Sequence, residues 1–297
     1  MSANETLPAR KGVWSILWRG RLSRVCLLVV GFYTVVALAG EFHCAWHKIQ
    51  DTLPTYQRQQ LDQRFQPPGP GHWLGTDALG RDVGLRLVQG TRIAFRVGII
   101  TSLIAIPIGV LLGCLAGYFR GRVDDVIVWL YTTFASIPGL LFILAIAMVV
   151  GKGLLGIYLG IGLTTWVGVC RLIRAEVMKH RDRPYVQSAR VLGLGHFRIL
   201  FRHILPNVSH VIIVAFTLRF PASIGTEVFM SFLGIGVQGE PSWGIMINNA
   251  RLRLWEGVWW EMTFVTLAVF FIVLAFNLLG DALRDALDPR LQATEEG

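Results

Sequence analysis

Six apolar runs, each close to the length that crosses a lipid bilayer, constrain this chain more than any other feature. A spanning helix needs roughly 20 apolar residues, because inside lipid the backbone must satisfy its own N–H and C=O groups. The runs extend from about Val25 to Gly40, Ile93 to Tyr118, Val126 to Val150, Leu154 to Cys170, Val211 to Gly234 and Thr263 to Gly280. The fourth is short and glycine-rich. Of the 297 residues 53% are hydrophobic and only 16% charged, where a soluble domain carries about 25% charged residues. The same apolar bias excludes a disordered chain. Four cysteines are too sparse for a disulfide scaffold; Cys26, Cys114 and Cys170 lie in apolar runs and read as packing residues, and Cys44 stands outside them. The expected fold is an all-α integral membrane protein with six transmembrane helices.

A net charge of +9 fits either a nucleic-acid surface or membrane flanks. Position decides for the flanks, because the basic residues cluster between the apolar runs and little polar surface remains; no nucleic acid is expected as a partner. The first run differs from a cleaved signal peptide in the 24 residues before it and in lacking a small-x-small site after Gly40. It reads as a retained helix. Lys and Arg concentrate on cytoplasmic loops. With the N-terminus inside, the inner segments carry 17 basic residues and the outer ones 9, so both termini are expected in the cytoplasm. The organisation is then a cytoplasmic tail 1–24, a first transmembrane helix 25–41, an external loop 42–92, a transmembrane domain 93–281 and a cytoplasmic tail 282–297.

Two external segments read as ordered. One holds Pro67-Pro68-Gly69-Pro70-Gly71-His72-Trp73-Leu74-Gly75-Thr76-Asp77; the other holds Gly239-Glu240-Pro241-Ser242-Trp243-Gly244, then Trp255, Trp259 and Trp260. These tryptophans fit an interfacial aromatic belt.

The cytoplasmic connection 171–207 is too long to be a mere link. It reads as two short helices. The first begins at Pro184, suited to a first helical turn, and ends at Gly193, which tolerates a left-handed conformation. The second begins near His196 and stops before Pro206. Phe197, Leu200, Phe201 and Ile204 form an apolar stripe, and Arg198 and Arg202 share a basic edge. Two readings stay open on physics alone: an amphipathic helix on anionic lipid, or a helix pair seated in a partner's groove.

Tyr185-Val186-Gln187-Ser188-Ala189-Arg190-Val191-Leu192-Gly193, followed by Arg198-Ile199-Leu200-Phe201-Arg202-His203-Ile204-Leu205-Pro206-Asn207, resembles the EAA loop of ABC importer permeases. Gln187, Ser188 and His203 stand where the general pattern has Glu, Ala and Ile; the spacing from Gly193 to Pro206 is kept. The Arg-His-x-Leu-Pro-Asn ending is similar to the dipeptide/oligopeptide (and nickel) branch. So are Trp73 to Val83, Ser231 to Gln238 with Pro241 to Gly244, and Asn277 to Arg290. The resemblance spans about residues 65–291 and is to the "C" permease subunit of that branch. It implies the type I ABC importer permease fold, placement in a bacterial inner membrane, and a role as half of a translocation pathway for di- or oligopeptides; nickel, glutathione or another small solute is the alternative cargo. Implied partners are a homologous second permease, cytoplasmic ABC ATPase subunits and an external solute-binding protein. Residues 171–207 become the ATPase-docking loop, with Pro184–Leu192 as the coupling helix. The Gln187 exchange removes a charge from the motif.

The chain has no G-x-x-x-x-G-K-[ST]; Gly151-Lys152-Gly153 lacks the spacing. No G-x-S-x-G, H-E-x-x-H or C-x-x-C occurs either, so no catalytic residue, metal or cofactor is expected. His43 and His47, four apart, are a weak metal spacing. Gly109, Gly113 and Gly117 recur every fourth residue, as do Gly156 and Gly160, which lets helix backbones approach closely. Pro107, Pro138 and Pro221 are candidate kinks. Ionisable residues within spans are costly and face a partner or water. Arg219 and Glu227, about two turns apart, are expected to line or gate the translocation path, and Arg96 to snorkel. A secondary transporter would show internal repeats and paired mid-membrane charges; no clear repeat is present.

Overall fold

The computed structural model describes Trp18 and residues 20–287. Most of the expected tail 1–24, and Asp288-Pro289-Arg290 of the C-terminal resemblance, lie outside the described residues. The helices are α1 (Arg21–Ile49), α2 (Val83–Phe119), α3 (Gly121–Ser136), α4 (Gly139–Val150), α5 (Leu154–Thr164), α6 (Trp166–Arg181), α7 (Pro184–Val191), α8 (His196–Phe232), α9 (Trp243–Arg251) and α10 (Trp260–Leu287). No strand occurs among the described residues; isolated bridges join Gly69 to His72 and Thr76 to Asp82. Five spans are long and apolar enough to cross a membrane, with α5 and α6 forming one of them, and the pair α3 and α4 makes six if counted as one bent span.

The run 126–150, expected as one crossing, is broken. Helices α3 and α4 meet at 88°. Proline disfavours helical backbone in the residue before it, and Ile137 ahead of Pro138 is extended (φ −86°, ψ 130°). Pro107 and Pro221, by contrast, stay inside α2 and α8. The second crossing starts at Val83 rather than near Ile93, because Asp82 caps it: its carboxylate accepts from Leu85 N–H at 2.9 Å. The polar first turns of α2 were not legible as helix because Arg86, Gln89 and Arg92 interrupt the apolar pattern, yet all three are buried against protein. The connection between α1 and α2 is therefore shorter than the expected external loop.

Helix α2 is the hub of the bundle. Its glycine row lies against α6. A Cβ at Gly109 would stand 2.6 Å from Val169 Cβ, and one at Gly113 would stand 2.7 Å from the carbonyl oxygen of Cys170. Absence of side chains there is what lets the two backbones touch. Likewise Gly160 faces the Ile143 carbonyl, closing the α4–α5 hairpin. At the centre, Phe220 of α8 stacks on Phe276 of α10 (centroids 4.4 Å apart) and meets Phe95 of α2 edge-on (5.2 Å). Helix α1 lies along α10, fastened by Tyr33 Oη donating to the Ala268 carbonyl at 3.0 Å.

One end of the bundle is capped by residues 50–82 and 233–259. Trp260 Nε1 donates to the Thr76 carbonyl (3.0 Å) and Trp243 Nε1 to the Leu87 carbonyl (3.2 Å). Both rings are buried, which sets these two apart from the expected aromatic belt: Trp73, Trp255 and Trp259 are exposed, whereas Trp243 and Trp260 are core residues whose N–H groups anchor the cap. Asp77, itself buried, accepts from Leu79 N–H (2.8 Å), Arg81 N–H (3.0 Å) and Arg81 Nε (2.7 Å), with Arg86 Nε at 3.4 Å. Arg96, expected to snorkel, instead pairs with Glu41 of α1 through Nε and Nη2, and Arg92 pairs with Glu240.

Candidate coupling loop and translocation face

The opposite end carries α7. Pro184 opens the helix, where its missing N–H has no acceptor to satisfy. The helix closes on a left-handed glycine, Gly193 (φ 74°). Gly193 N–H donates to the Arg190 carbonyl (2.9 Å) and Leu194 N–H to the Ala189 carbonyl (3.1 Å), the paired bonds of a Schellman ending. Val186 and Ala189 point inward, into a buried cluster with Tyr118, Val177, Ile199, Leu200 and Ile204. Gln187, Ser188, Arg190, Val191 and Leu192 point outward. Val191 and Leu192 are 88% and 78% exposed, side by side at the tip. Arg190 lies over the Tyr118 ring at 5.4 Å, Ser188 Oγ donates to the Pro184 carbonyl (3.0 Å) and Gln187 Nε2 to the Asp182 carbonyl (3.2 Å). Tyr185 Oη is 2.9 Å from His180 Nδ1. Burial pushes the Tyr185 phenol above its ordinary range.

The second short helix does not stop before Pro206. It runs on without a break as α8, and the proline is absorbed by a π turn over Ile199–Ile204 just ahead of it. That wider turn also rotates the expected stripe. Leu200 and Ile204 are buried together with Ile199, while Phe197 and Phe201 turn outward and stack on each other, planes 4° apart. Arg198 and Arg202 are exposed beside them. The segment 171–207 thus forms a ledge whose ends belong to α6 on one side and α8 on the other.

Arg219 and Glu227 are not brought together. Eight residues at 100° each leave them about 80° apart around α8, and packing turns them to different neighbours. Glu227 is 1% exposed and accepts from Ser231 Oγ at 2.6 Å, next to the capped end. Arg219 is half-buried at the junction of α5 and α6. Its Nη1 donates to the Thr165 carbonyl at 2.5 Å. There the helix is interrupted (Thr165 φ −95°, ψ 2°), and the Thr164 and Thr165 hydroxyls bond back to the carbonyls of Gly160 (2.8 Å) and Ile161 (2.5 Å). Nothing in the apolar pattern marked this joint except the threonine pair after a glycine-rich run. Sequence reasoning also missed the ion pairs at the cap, since Glu41 and Arg96 are far apart in the chain.

His43 and His47 do lie with ring centroids 4.5 Å apart, but each is engaged by a threonine, Thr55 at 3.2 Å and Thr52 at 2.7 Å. Among the described residues no group of three or more His, Cys, Asp or Glu side chains is placed to hold a metal ion.

Comparison with known proteins places this architecture. Residues 109–293 match the family described as the binding-protein-dependent transport system inner membrane component. The dipeptide transport system permease protein DppC of Bacillus subtilis (strain 168) is 36% identical over 97% of this chain and 88% of its own. The glutathione transport system permease protein GsiD of Pectobacterium atrosepticum is 36% identical over 94% of this chain and 92% of its own. The di/tripeptide permease DppC of Pseudomonas aeruginosa is 40% identical over 74% and 72%. In fold alone, the chain is similar to the MetNI methionine ABC transporter, with a TM-score of 0.53 at 16% identity over 68% of this chain and 96% of that one. The chain belongs to the family of multi-pass inner-membrane components of binding-protein-dependent transport systems.

Proposed function

We propose that this protein is one of two permease subunits of an ATP-driven importer for di- or oligopeptides. ATP is hydrolysed on cytoplasmic partner subunits, an external binding protein delivers the peptide, and a homologous permease supplies the other half of the pathway. Both termini and α7 face the cytoplasm. The observation that carries this reading is the ledge formed by α7: an exposed apolar tip (Val191, Leu192) and basic rim (Arg190, Arg198, Arg202), anchored by Val186 and Ala189 to the ends of α2, α6 and α8. A push on that tip moves the helices that form the bundle's centre, because packed interiors transmit displacement rather than absorb it. The permeases of the named relatives carry dipeptides, di/tripeptides or glutathione, and glutathione import is the second reading on that ground.

The test is a reconstituted complex of this chain with the permease, ATPases and binding protein of its own transport system. ATP-dependent uptake of a dipeptide into vesicles is expected, with none on omission of ATP. Ser188→Cys, on the outward face, is expected to crosslink to an ATPase subunit, whereas Ala189→Cys, buried beneath the helix, is not. Failure of Ser188→Cys to reach an ATPase in the assembled complex would overturn the docking role.

A further inference from the structure

We propose that Arg219 is a receptor for the carboxylate of the transported solute, so that this permease selects for anionic peptide termini independently of the binding protein. The inference rests on the peptide-import reading above.

A guanidinium inside a membrane span is costly unless paired. Two ion pairs of the bundle helices show how this chain meets that demand. Arg174 grips Asp124 through Nε and Nη2, both at 2.6 Å, and Arg96 grips Glu41 through the same two nitrogens. The Nε–Nη2 edge is the fork that matches a carboxylate. Arg219 has no such partner. Among the described residues no carboxylate lies within ion-pair distance of it; its one hydrogen bond is Nη1 to the Thr165 carbonyl, and its Nε is buried without a partner. That single bond holds the guanidinium against the α5–α6 joint and leaves its carboxylate-binding edge unmatched.

The surroundings leave room for a ligand. Ala222, one turn along α8 from Arg219, is exposed, as is Gly168 one turn beyond Thr165 on α6. A Cβ added at Gly168 would meet nothing within 4 Å. A fixed cation beside a side-chain-poor surface at mid-span is suited to an oxyanion passing along it. Dipeptides, oligopeptides and glutathione differ in their side chains but share a free α-carboxylate, and that is the group a lone guanidinium reads.

The experiment uses the full reconstituted complex and two probes, dialanine and its C-terminal amide, each supplied at a concentration that saturates the isolated binding protein. The wild-type complex is expected to transport the acid faster than the amide at equal loading. Arg219→Gln is expected to lower the acid's rate roughly tenfold, the value of one charge-assisted hydrogen bond, and to leave the amide's rate unchanged. Arg219→Lys, which keeps the charge without the fork, retains a preference for the acid and covers the case in which the glutamine variant does not assemble. A variant that slows both probes equally, or neither, overturns the proposal and indicates a fixed structural arginine or one paired with an acid of the second permease. A lysine variant that treats both probes alike overturns it too. If the wild-type complex imports neither probe, it is the peptide-import reading that falls, and this inference with it.

Discussion

Asp77 is the residue on which the capped end turns. Its carboxylate is buried and takes two backbone N–H groups and the Arg81 guanidinium, with Arg86 at 3.4 Å. Arg86 is itself only 3% exposed. Removing one partner of a buried ion pair costs more than the pair contributes, because the remaining charge is stranded. Asp77→Ala is therefore expected to destabilise the protein by about 3–5 kcal/mol. The amide variant Asp77→Asn, which keeps the one oxygen that accepts from both the Leu79 and Arg81 N–H groups, should lose less. Thermal unfolding of the detergent-solubilised complex, followed by loss of its monodisperse elution peak, checks the order alanine, asparagine, wild type. An alanine variant as stable as the wild type would remove Asp77 from this role. The same logic of stranded groups explains why Trp243 and Trp260 are core residues here: each buried indole N–H reaches a backbone carbonyl, which makes the burial of a large amphipathic ring favourable.

Among the elements, the contact of α2 with α6 is the one that ties the α7 ledge to the centre of the bundle. It depends on the row Gly109, Gly113, Gly117, whose missing side chains bring the two helices into backbone contact. A Cβ at Gly113 would meet the Cys170 carbonyl and Ile173 Cβ at 2.7 and 2.9 Å, and neither can swing aside. Gly113→Ala is expected to cost about 1–3 kcal/mol through overpacking and to reduce coupling of ATP hydrolysis to uptake. Gly31→Ala is the control: it lies in mid-helix on α1, and an added Cβ meets nothing within 4 Å. There alanine is expected to be neutral or stabilising by about 0.5–1 kcal/mol. Unfolding midpoints of the two variants, measured side by side, distinguish a close-packed seam from a general sensitivity of helical glycines. Equal effects would count against the seam.

At the scale of the whole molecule, the two ends of the bundle differ in character. One is a folded cap of short turns, ion pairs and buried indoles; the other is the α7 ledge with the basic ends of α6 and α8 around it. The excess of Lys and Arg on the ledge side predicts that this end is cytoplasmic. Single cysteines introduced by Pro70→Cys on the cap and Ser188→Cys on the ledge, in a background with Cys44→Ser, test this with a membrane-impermeant thiol reagent. Position 70 is expected to label in intact cells, and position 188 only after the membrane is opened. The reverse pattern would invert the molecule and withdraw the docking role of α7.

The apolar runs, the proline and glycine punctuation of α7, and the motif between Tyr185 and Asn207 are local properties of the chain, and each was legible in the sequence. Bilayer crossing depends on length and apolarity of contiguous residues, and a Schellman ending depends on one glycine at one offset. The break between α3 and α4 was only half legible. Pro107, Pro138 and Pro221 look alike as letters, and which of them interrupts a helix was decided by what surrounds it. Buried polar partners were not legible at all: Arg96 with Glu41, Arg92 with Glu240 and Trp260 with Thr76 join residues remote along the chain. The same is true of the separation of Arg219 from Glu227, which were expected about two turns apart along one face and which packing sent to different neighbours. By itself the sequence determined that this chain forms apolar helices and the short helix α7 with its glycine ending, because those rest on short-range covalent and steric rules. Only the tertiary structure decided which charges find a partner, because that depends on distances between helices, and no single helix contains them.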